Sequence, residues 1–524
     1  MSLERRRTRA RAGAVTVLAA ALVLAGCAGA DEATSPTSAT DATPTPGGTL
    51  RAIEYVQPIG LDPAQNFTPT SMPITFTALY GQFVAADPDT GEYDCVLCES
   101  FTTDDAGATW DIVMPEGQTF SDGTPVDAEA VAYNWERIKD PTSGSASAGF
   151  AGQIDHIDIV DDYALTVHLV AANPGFIGLM PFYALQYIAS PTALEKGQEE
   201  FNANPVGAGP FVLDSWTPGG TITLVRNDDY FGEPAYLDAI EIQGVTDGSQ
   251  RLNAILSGGA DLVLHNDATS FAAAEDAGLN TEIYTFNGGI GFMLNTSTPP
   301  FDDVRARQAV AYALDLEQLS DAVGGGNGSV PTTLFQSDSP LFSDIPLQTY
   351  DPEKAQELFD ELAAEGDPLE FAYTVYPGTG QATFDALQAQ LAAYDNVTVT
   401  ADQRDSSAQG VITTSGDFEM TTSALAFLDP AANLRSVLDS EAGLTNYTRI
   451  SDARLDAALD AALAATDVDA QREAYAQVQT LLAELQPYIL YQEYFNGAIT
   501  TDQVHGVLMN GYTTPAAANI WIQQ

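Results

Sequence analysis

Apolar residues alternate with polar ones over short stretches in the first half of the chain and recur at helical spacing in the second. Thr109-Trp110-Asp111-Ile112-Val113 alternates and predicts a half-buried strand. Asp122-Gly123 is a tight-turn pair, and Pro125-Val126-Asp127-Ala128-Glu129 reads as a helix start with acids in its first turn. Phe211-Val212-Leu213 and Thr221-Ile222-Thr223-Leu224-Val225 predict two strands joined through Pro218-Gly219-Gly220. Further on, Val304, Ala309, Val310, Ala313 and Leu314 predict a helix over 304–319. Asp351-Pro352 ahead of Ala355, Leu358, Phe359 and Leu362 predicts another. The alanine- and leucine-rich 455–485 stretch predicts a helical pair, with strand-like pieces at 396–400 and 418–421 between the helices. This mixture predicts α/β lobes, and no internal repeat is visible.

The N-terminus carries a different pattern. Arg5, Arg6, Arg7, Arg9 and Arg11 form a basic region, and the apolar run over 12–24 is short for a bilayer span but fits a signal peptide. Leu24-Ala25-Gly26-Cys27 then resembles the bacterial lipobox, which implies a signal over 1–26 and a diacylated Cys27; the alternative is an ordinary signal peptide with an incidental cysteine. Twin arginines are present without the hydrophobic pattern of a twin-arginine signal, which favours the general secretory route. Apart from Cys27 and Glu32, residues 27–47 are Ala, Thr, Ser, Pro, Asp and Gly, the composition of a flexible tether. No other run in the sequence reaches about 18 consecutive apolar residues.

At 524 residues the chain is too long for one core, and about 150 residues per domain suggests three structural units. Hydrophobic residues make up 45% and charged ones 17%, enough apolar surface for a globular fold. Nineteen basic residues stand against 72 acidic ones, a net charge of −53, and the only lysines are Lys139, Lys196 and Lys354. So anionic a surface repels phosphate backbones and speaks against nucleic acid as a partner. A solvated, solubilising coat is the plain reading of those carboxylates.

Catalytic patterns are missing: there is no GxSxG, HExxH, GxxxxGK[ST] or GxGxxG turn. His156, His168, His265 and His505 are scattered along the sequence, so no metal centre and no cofactor is expected. Asp87-Pro88-Asp89-Thr90-Gly91 reads as a hairpin turn rather than a calcium loop, because its glycine comes one position early. Cys95-Val96-Leu97-Cys98 lacks the second pair a zinc site needs. An oxidising compartment favours a local disulfide there; two buried thiols and redox chemistry are the alternatives. Abundant carboxylates leave an exported hydrolase as a rival from another class.

Several segments, in order along nearly the whole mature chain, resemble family 5, the peptide/nickel class of solute-binding proteins that serve ABC importers. They are Gly47-Gly48-Thr49-Leu50 with Leu61-Asp62-Pro63-Ala64, then Trp110 through Phe120-Ser121-Asp122-Gly123-Thr124-Pro125 to Val131. Gly207-Ala208-Gly209-Pro210-Phe211 follows, with Arg226-Asn227-Asp228-Asp229-Tyr230-Phe231 after it. Asn295, Pro300-Phe301-Asp302-Asp303-Val304-Arg305, Arg307-Gln308-Ala309 and Ala313-Leu314-Asp315 come next, and Tyr350-Asp351-Pro352-Glu353-Lys354-Ala355 completes the series. Each fragment alone is a turn, a cap or a core face; their collinearity carries the resemblance.

The resemblance implies a two-lobed periplasmic-binding-protein-like α/β fold (type II, cluster C) with an extra N-terminal subdomain over about 78–205. Lobe I is placed at 48–286 plus 490–524 and lobe II at 287–489. The implied function is capture of a peptide or peptide-like solute by a monomeric, extracytoplasmic, lipid-anchored binding protein, not an enzyme, which hands the solute to an importer permease. An oligosaccharide or other non-peptide solute is the alternative. Tyr55, Gln57, Asn287, Gly288, Phe427, Asp429, Tyr491, Glu493 and Phe495 fall where family members line the cleft. One departure stands out: ungapped counting from Asp429-Pro430 puts Ser423 and Ala426 at the family's tryptophan and ammonium-binding aspartate. Asp429 or Glu493 then takes over that pairing, or the ligand carries no free amine. The lipobox reading predicts that Cys27→Ala releases the protein from membranes into the soluble fraction; continued attachment of that variant contradicts it.

Overall fold

The computed structural model describes residues 43–524 apart from 66–70, 87–92, 106, 367, 377–379, 406–407, 466 and 511–513. The leader, Cys27, the tether up to residue 42 and the 87–91 turn lie outside the described residues. Among the described residues, aspartate side chains open nine α-helices by accepting a first-turn amide. Asp127 caps Ala128–Lys139, Asp351 caps Pro352–Glu365 and Asp467 caps Val468–Leu485. Each cap contributes about 1 kcal/mol and places an acid at the positive end of the helix dipole, so part of the acidic excess is structural. The 304–319 pattern, which predicts one helix, forms two, Val304–Ala313 and Leu316–Val323, because Asp315 leaves helical geometry to accept the Gln318 amide and restart the helix.

Three sheets of four or more strands organise the described residues. The first has seven strands in the order Asn280–Thr285, Phe495–Thr500, Leu262–His265, Thr49–Glu54, Ala239–Gly244, Ile222–Arg226 and Phe211–Trp216. Its centre is parallel, Thr49–Glu54 lying between Ala239–Gly244 and Leu262–His265. Along these strands side chains alternate between two cores, Leu50, Leu262 and Leu264 entering one and Ile53 and Val263 the other. The second sheet runs Val397–Gln403, Leu369–Val375, Met420–Phe427, Asn287–Leu294 and Tyr488–Gln492, and is likewise covered on both faces. Such strands read as near-continuous apolar runs, as Tyr488-Ile489-Leu490-Tyr491 does.

The third sheet has four antiparallel strands, Ser100–Thr102, Thr109–Val113, Ala164–Leu169 and Ile154–Asp161, packed on the Ala128–Lys139 helix. Trp110, Trp135, Phe101 and Phe176 fill its core, and the Trp135 indole N–H donates to the Leu185 carbonyl at 2.9 Å. Cys95 and Cys98 are joined by a disulfide with their Cα atoms 5.0 Å apart. The two-nitrogen grip of Arg137 on buried Asp62, at 2.6 and 2.8 Å, ties this unit to the first sheet's loops. In the second unit, Arg307 is buried and holds the carbonyls of Leu485 and Phe301, each at 2.6 Å; burial pulls its guanidinium down to about 10. Among the described residues no helix is long and apolar enough to cross a membrane.

Glu54, at the end of the central parallel strand, is 1% exposed and accepts the amides of Ile74 and Thr75 at 2.8 and 3.2 Å, with the Thr75 hydroxyl on its other oxygen. Burial outweighs these donors and pushes its carboxyl up to about 7. The unfolded carboxyl releases its proton near 4.5 while the folded one keeps it, so this group's contribution to stability falls as pH rises from about 5 to above 7. A glutamine would accept the same amides and donate to Thr75. Glu54→Gln is therefore expected to gain up to about 3 kcal/mol on the wild type between about pH 5 and pH 8, read from urea unfolding; a pH-independent difference contradicts the assignment.

Candidate ligand-binding cleft

Strand direction locates the cleft. The chain leaves the first sheet along Asn280–Thr285 and enters the second along Asn287–Leu294; it returns from Tyr488–Gln492 to Phe495–Thr500. Asn280–Thr285 and Leu262–His265 both run antiparallel to Phe495–Thr500, so every parallel strand of the first sheet points its carboxyl end toward this crossing. Met420–Phe427 runs antiparallel to Asn287–Leu294 and pairs Phe427 with Asn287; Leu369–Val375 and Val397–Gln403 are parallel to it and end on the same side. Both sheets thus present their carboxyl ends to one boundary, the position at which open α/β sheets bind ligands.

On the first sheet's side the boundary holds Tyr55 and Gln57. The Tyr55 hydroxyl donates to the His265 carbonyl at 3.0 Å, and its ring lies under the Arg251 guanidinium, 5.0 Å from the centroid. Arg251 is itself buried and donates to the carbonyls of Leu264, Val245 and Thr246, which closes the ends of two strands; burial lowers its pKa. His265 is fully buried, with Nδ1 2.8 Å from Asp267. Gln57 stands by the Gly244 carbonyl, and its Oε1 is buried without a hydrogen-bond partner among the described residues. An unpaired buried acceptor is costly, and a ligand N–H would satisfy it.

The second sheet contributes Asp429, just past the end of Met420–Phe427; Tyr376 and Arg404 follow the two neighbouring strands, whose ends lie nearer Thr421 than Phe427 in register. Arg404 bonds Asp402 at 2.7 Å and pairs with Asp417 at 3.3 Å; burial raises the Tyr376 phenol, with Arg404 opposing that rise. Asp429 accepts the Ala431 amide at 2.8 Å, opening the helix Pro430–Leu438. Pro430–Leu438 meets the subdomain helix Phe176–Leu179, and a Cβ added at Gly178 would stand 2.4 Å from an Asp429 carboxylate oxygen. Beside this contact a cavity of about 520 Å³ is lined by Gln153, Asn173 and Leu179 of the subdomain and by Arg435, Asp439 and Thr445 opposite. Arg435 bridges Asp439 at 3.2 Å and Asp460 at 2.8 Å on that wall.

At the crossing itself, the Phe286 amide donates to the Tyr494 carbonyl at 2.9 Å, and their rings lie 5.1 Å apart. Asn287 accepts the Gln336 amide at 2.9 Å, and Glu493 donates its amide to Ser329. Gly288 has φ +75°, and a Cβ there would meet the Leu425 carbonyl oxygen, which makes glycine a backbone requirement. The aromatic candidates sit inside. Phe427 is fully buried against Phe335, Tyr491 is 2% exposed beside Phe292, and Phe495 is buried against Phe271. The structure therefore brings Tyr55, Gln57 and Asp429 to the boundary, keeps Asn287, Gly288 and Glu493 at the crossing, and places the three aromatic candidates in cores.

Residues 92–443 match the family described as bacterial extracellular solute-binding proteins, family 5. The chain belongs to that family. Heme-binding protein A of Haemophilus influenzae is 26% identical over 91% of this chain and 92% of its own length. Glutathione-binding protein GsiB of Shigella flexneri is 29% identical over 57% of this chain and 58% of its own. The periplasmic binding protein DppA from Helicobacter pylori, solved with the peptide STSA, shares the fold with a TM-score of 0.77 at 19% identity, over 92% of this chain and 99% of that one.

Arg251, Arg404 and Tyr376 of this family 5 solute-binding protein escaped the sequence reading because nothing in their local pattern marks a strand end; only pairing shows where strands stop. An added Cβ at Gly178 meets Asp429 only while the subdomain touches the second lobe, whereas the Tyr93 hydroxyl, 3.0 Å from it, belongs to the subdomain itself, so a larger side chain penalises the touching arrangement more than the separated one. Gly178→Val overpacks it by about 1–3 kcal/mol and lowers the closed-to-open ratio by about 5- to 150-fold. Small-angle scattering is expected to give this variant a larger radius of gyration than the wild type; superimposable profiles contradict the contact's role.

Proposed function

We propose that this chain captures a small peptide or peptide-like solute at the boundary between its two sheets and delivers it to the permease of an ABC importer. The carrying observation is that the parallel strands of both sheets point their carboxyl ends toward one boundary, which the chain crosses only at 286–287 and 493–494. A ligand that touches both sides gains its second set of contacts only in the closed arrangement, so binding selects closure by differential affinity. The lobes are 48–286 with 494–524, and 287–493, the expected 489/490 boundary moving to 493/494 because Tyr488–Gln492 is a strand of the second sheet, with the subdomain at about 78–205 inserted in the first. Closure is then the signal a permease reads.

The peptide-like reading is supported by polar groups. Gln57 Oε1 suits a ligand N–H, and Asp429 or Glu493 suits an ammonium in place of the aspartate that ungapped counting from Asp429-Pro430 replaces by Ala426. The names of the relatives, glutathione-binding and heme-binding, point to small amide-bearing or carboxylate-bearing solutes rather than sugars. The buried Phe427, Tyr491 and Phe495 hold the strands that carry the polar residues. Extracytoplasmic placement as a monomer lipid-anchored to the cell membrane through Cys27 completes the proposal.

Native mass spectrometry of purified protein is expected to show a retained guest with the mass of a di- to tetrapeptide or glutathione. Melting should then shift upward by several degrees with the same compound, which is recovered unchanged. A retained oligosaccharide, or hydrolysis of the added compound, contradicts the proposal.

A further inference from the structure

Chain spacing hides a pair of histidines that the fold brings together. His156 and His168 are twelve positions apart, yet the hairpin of Ile154–Asp161 and Ala164–Leu169 sets them directly opposite in register. Their imidazoles lie parallel, 6° apart in plane and 4.2 Å between centroids. Asp158, two residues on and so on the same face, places a carboxylate oxygen 3.3 Å from His168 Nε2 and 3.9 Å from His156 Nε2. One ligand atom from each of the three falls within 4.8 Å of the others. The expectation of no metal centre rested on spacing along the sequence, and a β-hairpin converts distant positions into neighbours.

A second observation concerns the far side of the ring. His156 Nδ1 lies 2.9 Å from an Asp155 carboxylate oxygen, supplied where the strand bulges between Ile154 and His156. An Nδ1–H held by a carboxylate leaves Nε2 as a lone-pair donor, the arrangement that orients metal-binding histidines. Next along the same face, the Thr166 hydroxyl, opposite Asp158, donates to Asp111 of the neighbouring strand at 2.7 Å. The strands are joined by only Asp162 and Tyr163, so the backbone that carries the three ligands is a rigid hairpin.

The geometry points to a surface site for a divalent transition metal, of the zinc, cobalt, nickel or copper class, held by His156 Nε2, His168 Nε2 and Asp158 on the outer face of the subdomain. Two imidazoles and one carboxylate suit these ions, whereas magnesium and calcium prefer all-oxygen shells. Tetrahedral coordination at 2.0–2.1 Å needs donors about 3.3 Å apart. The His168 to Asp158 separation already has that value; His156 stands 3.9 Å from the same oxygen, and the two stacked rings must splay about their side-chain bonds so that their in-plane lone pairs converge on one ion. Three protein ligands leave a coordination position open for water or for a donor group from another molecule. The protein's large negative charge raises the local concentration of any cation.

The other two histidines do not compete: His265 is fully buried, and His505 is stacked on Trp521 with 4.3 Å between centroids. Calorimetric titration of tag-free, leaderless protein with Zn2+ in excess Mg2+, and absorption spectroscopy with Co2+, test the site. One equivalent is expected, with a Co2+ spectrum of a low-coordinate, nitrogen-containing shell. His168→Ala and His156→Ala should each weaken Zn2+ by more than about tenfold, and Asp155→Asn by about 10- to 100-fold although it is not a ligand. Asp158→Asn serves as a further ligand variant, and unchanged metal-free melting certifies each fold. Zn2+ binding equal in wild type and a His156→Ala/His168→Ala double variant, or its displacement by Mg2+, overturns the site and assigns the ion to the carboxylate coat.

Discussion

The arrangement depends on how few covalent paths join the two sheets. Each sheet is a closed problem in packing, with cores on both faces and its parallel strands locked in register. Between them pass only the segment at Phe286 and the segment at Glu493-Tyr494, which hydrogen-bond to one another through the Phe286 amide and the Tyr494 carbonyl. A pair of short crossings lets two stiff bodies rotate without breaking either core. The strand ends they carry therefore approach or separate as units, which is what a binding cleft that reports its occupancy requires.

The acidic composition acquires two local meanings within this frame. Some aspartates are helix caps that accept first-turn amides at helix N-termini; Asp315 even decides where one helix ends and the next begins. Others pair with cations, as Asp439 does with Arg435, and Asp267 does both, capping a helix and standing beside His265 at a strand end. Asp267 shows the balance within the fold: burial pushes its carboxyl up, but hydrogen bonds from His265 and the Ser270 amide prevail and hold it below the usual carboxylate range. The few buried arginines then do what lysine would do poorly, with Arg251 and Arg307 each gathering several carbonyls with one planar group.

Much of the first-order architecture was readable from the residues. Thr109-Trp110-Asp111-Ile112-Val113 and the Pro218-Gly219-Gly220 turn announced their strands, and the 455–485 pattern its two helices. Collinear motifs announced the family. The cleft was readable only in part. Tyr55, Gln57 and Asp429 follow strands whose ends the motifs bracket. Phe427, Tyr491 and Phe495 could not be sorted from lining residues, because a strand covered on both faces has no polar side to betray orientation. Arg404 and Arg251 depend on where strands terminate, and the His156–His168 pair on hairpin register, neither of which periodicity records.

Movement between the lobes is the claim on which the account stands, and distance is its direct observable. Fluorophores on the exposed positions Glu241→Cys, in the first sheet, and Glu361→Cys, on the helix beside the second, report it by single-molecule energy transfer. The account predicts two distance populations, with saturating ligand moving molecules into the shorter one. A single population that stays put at saturation would contradict it.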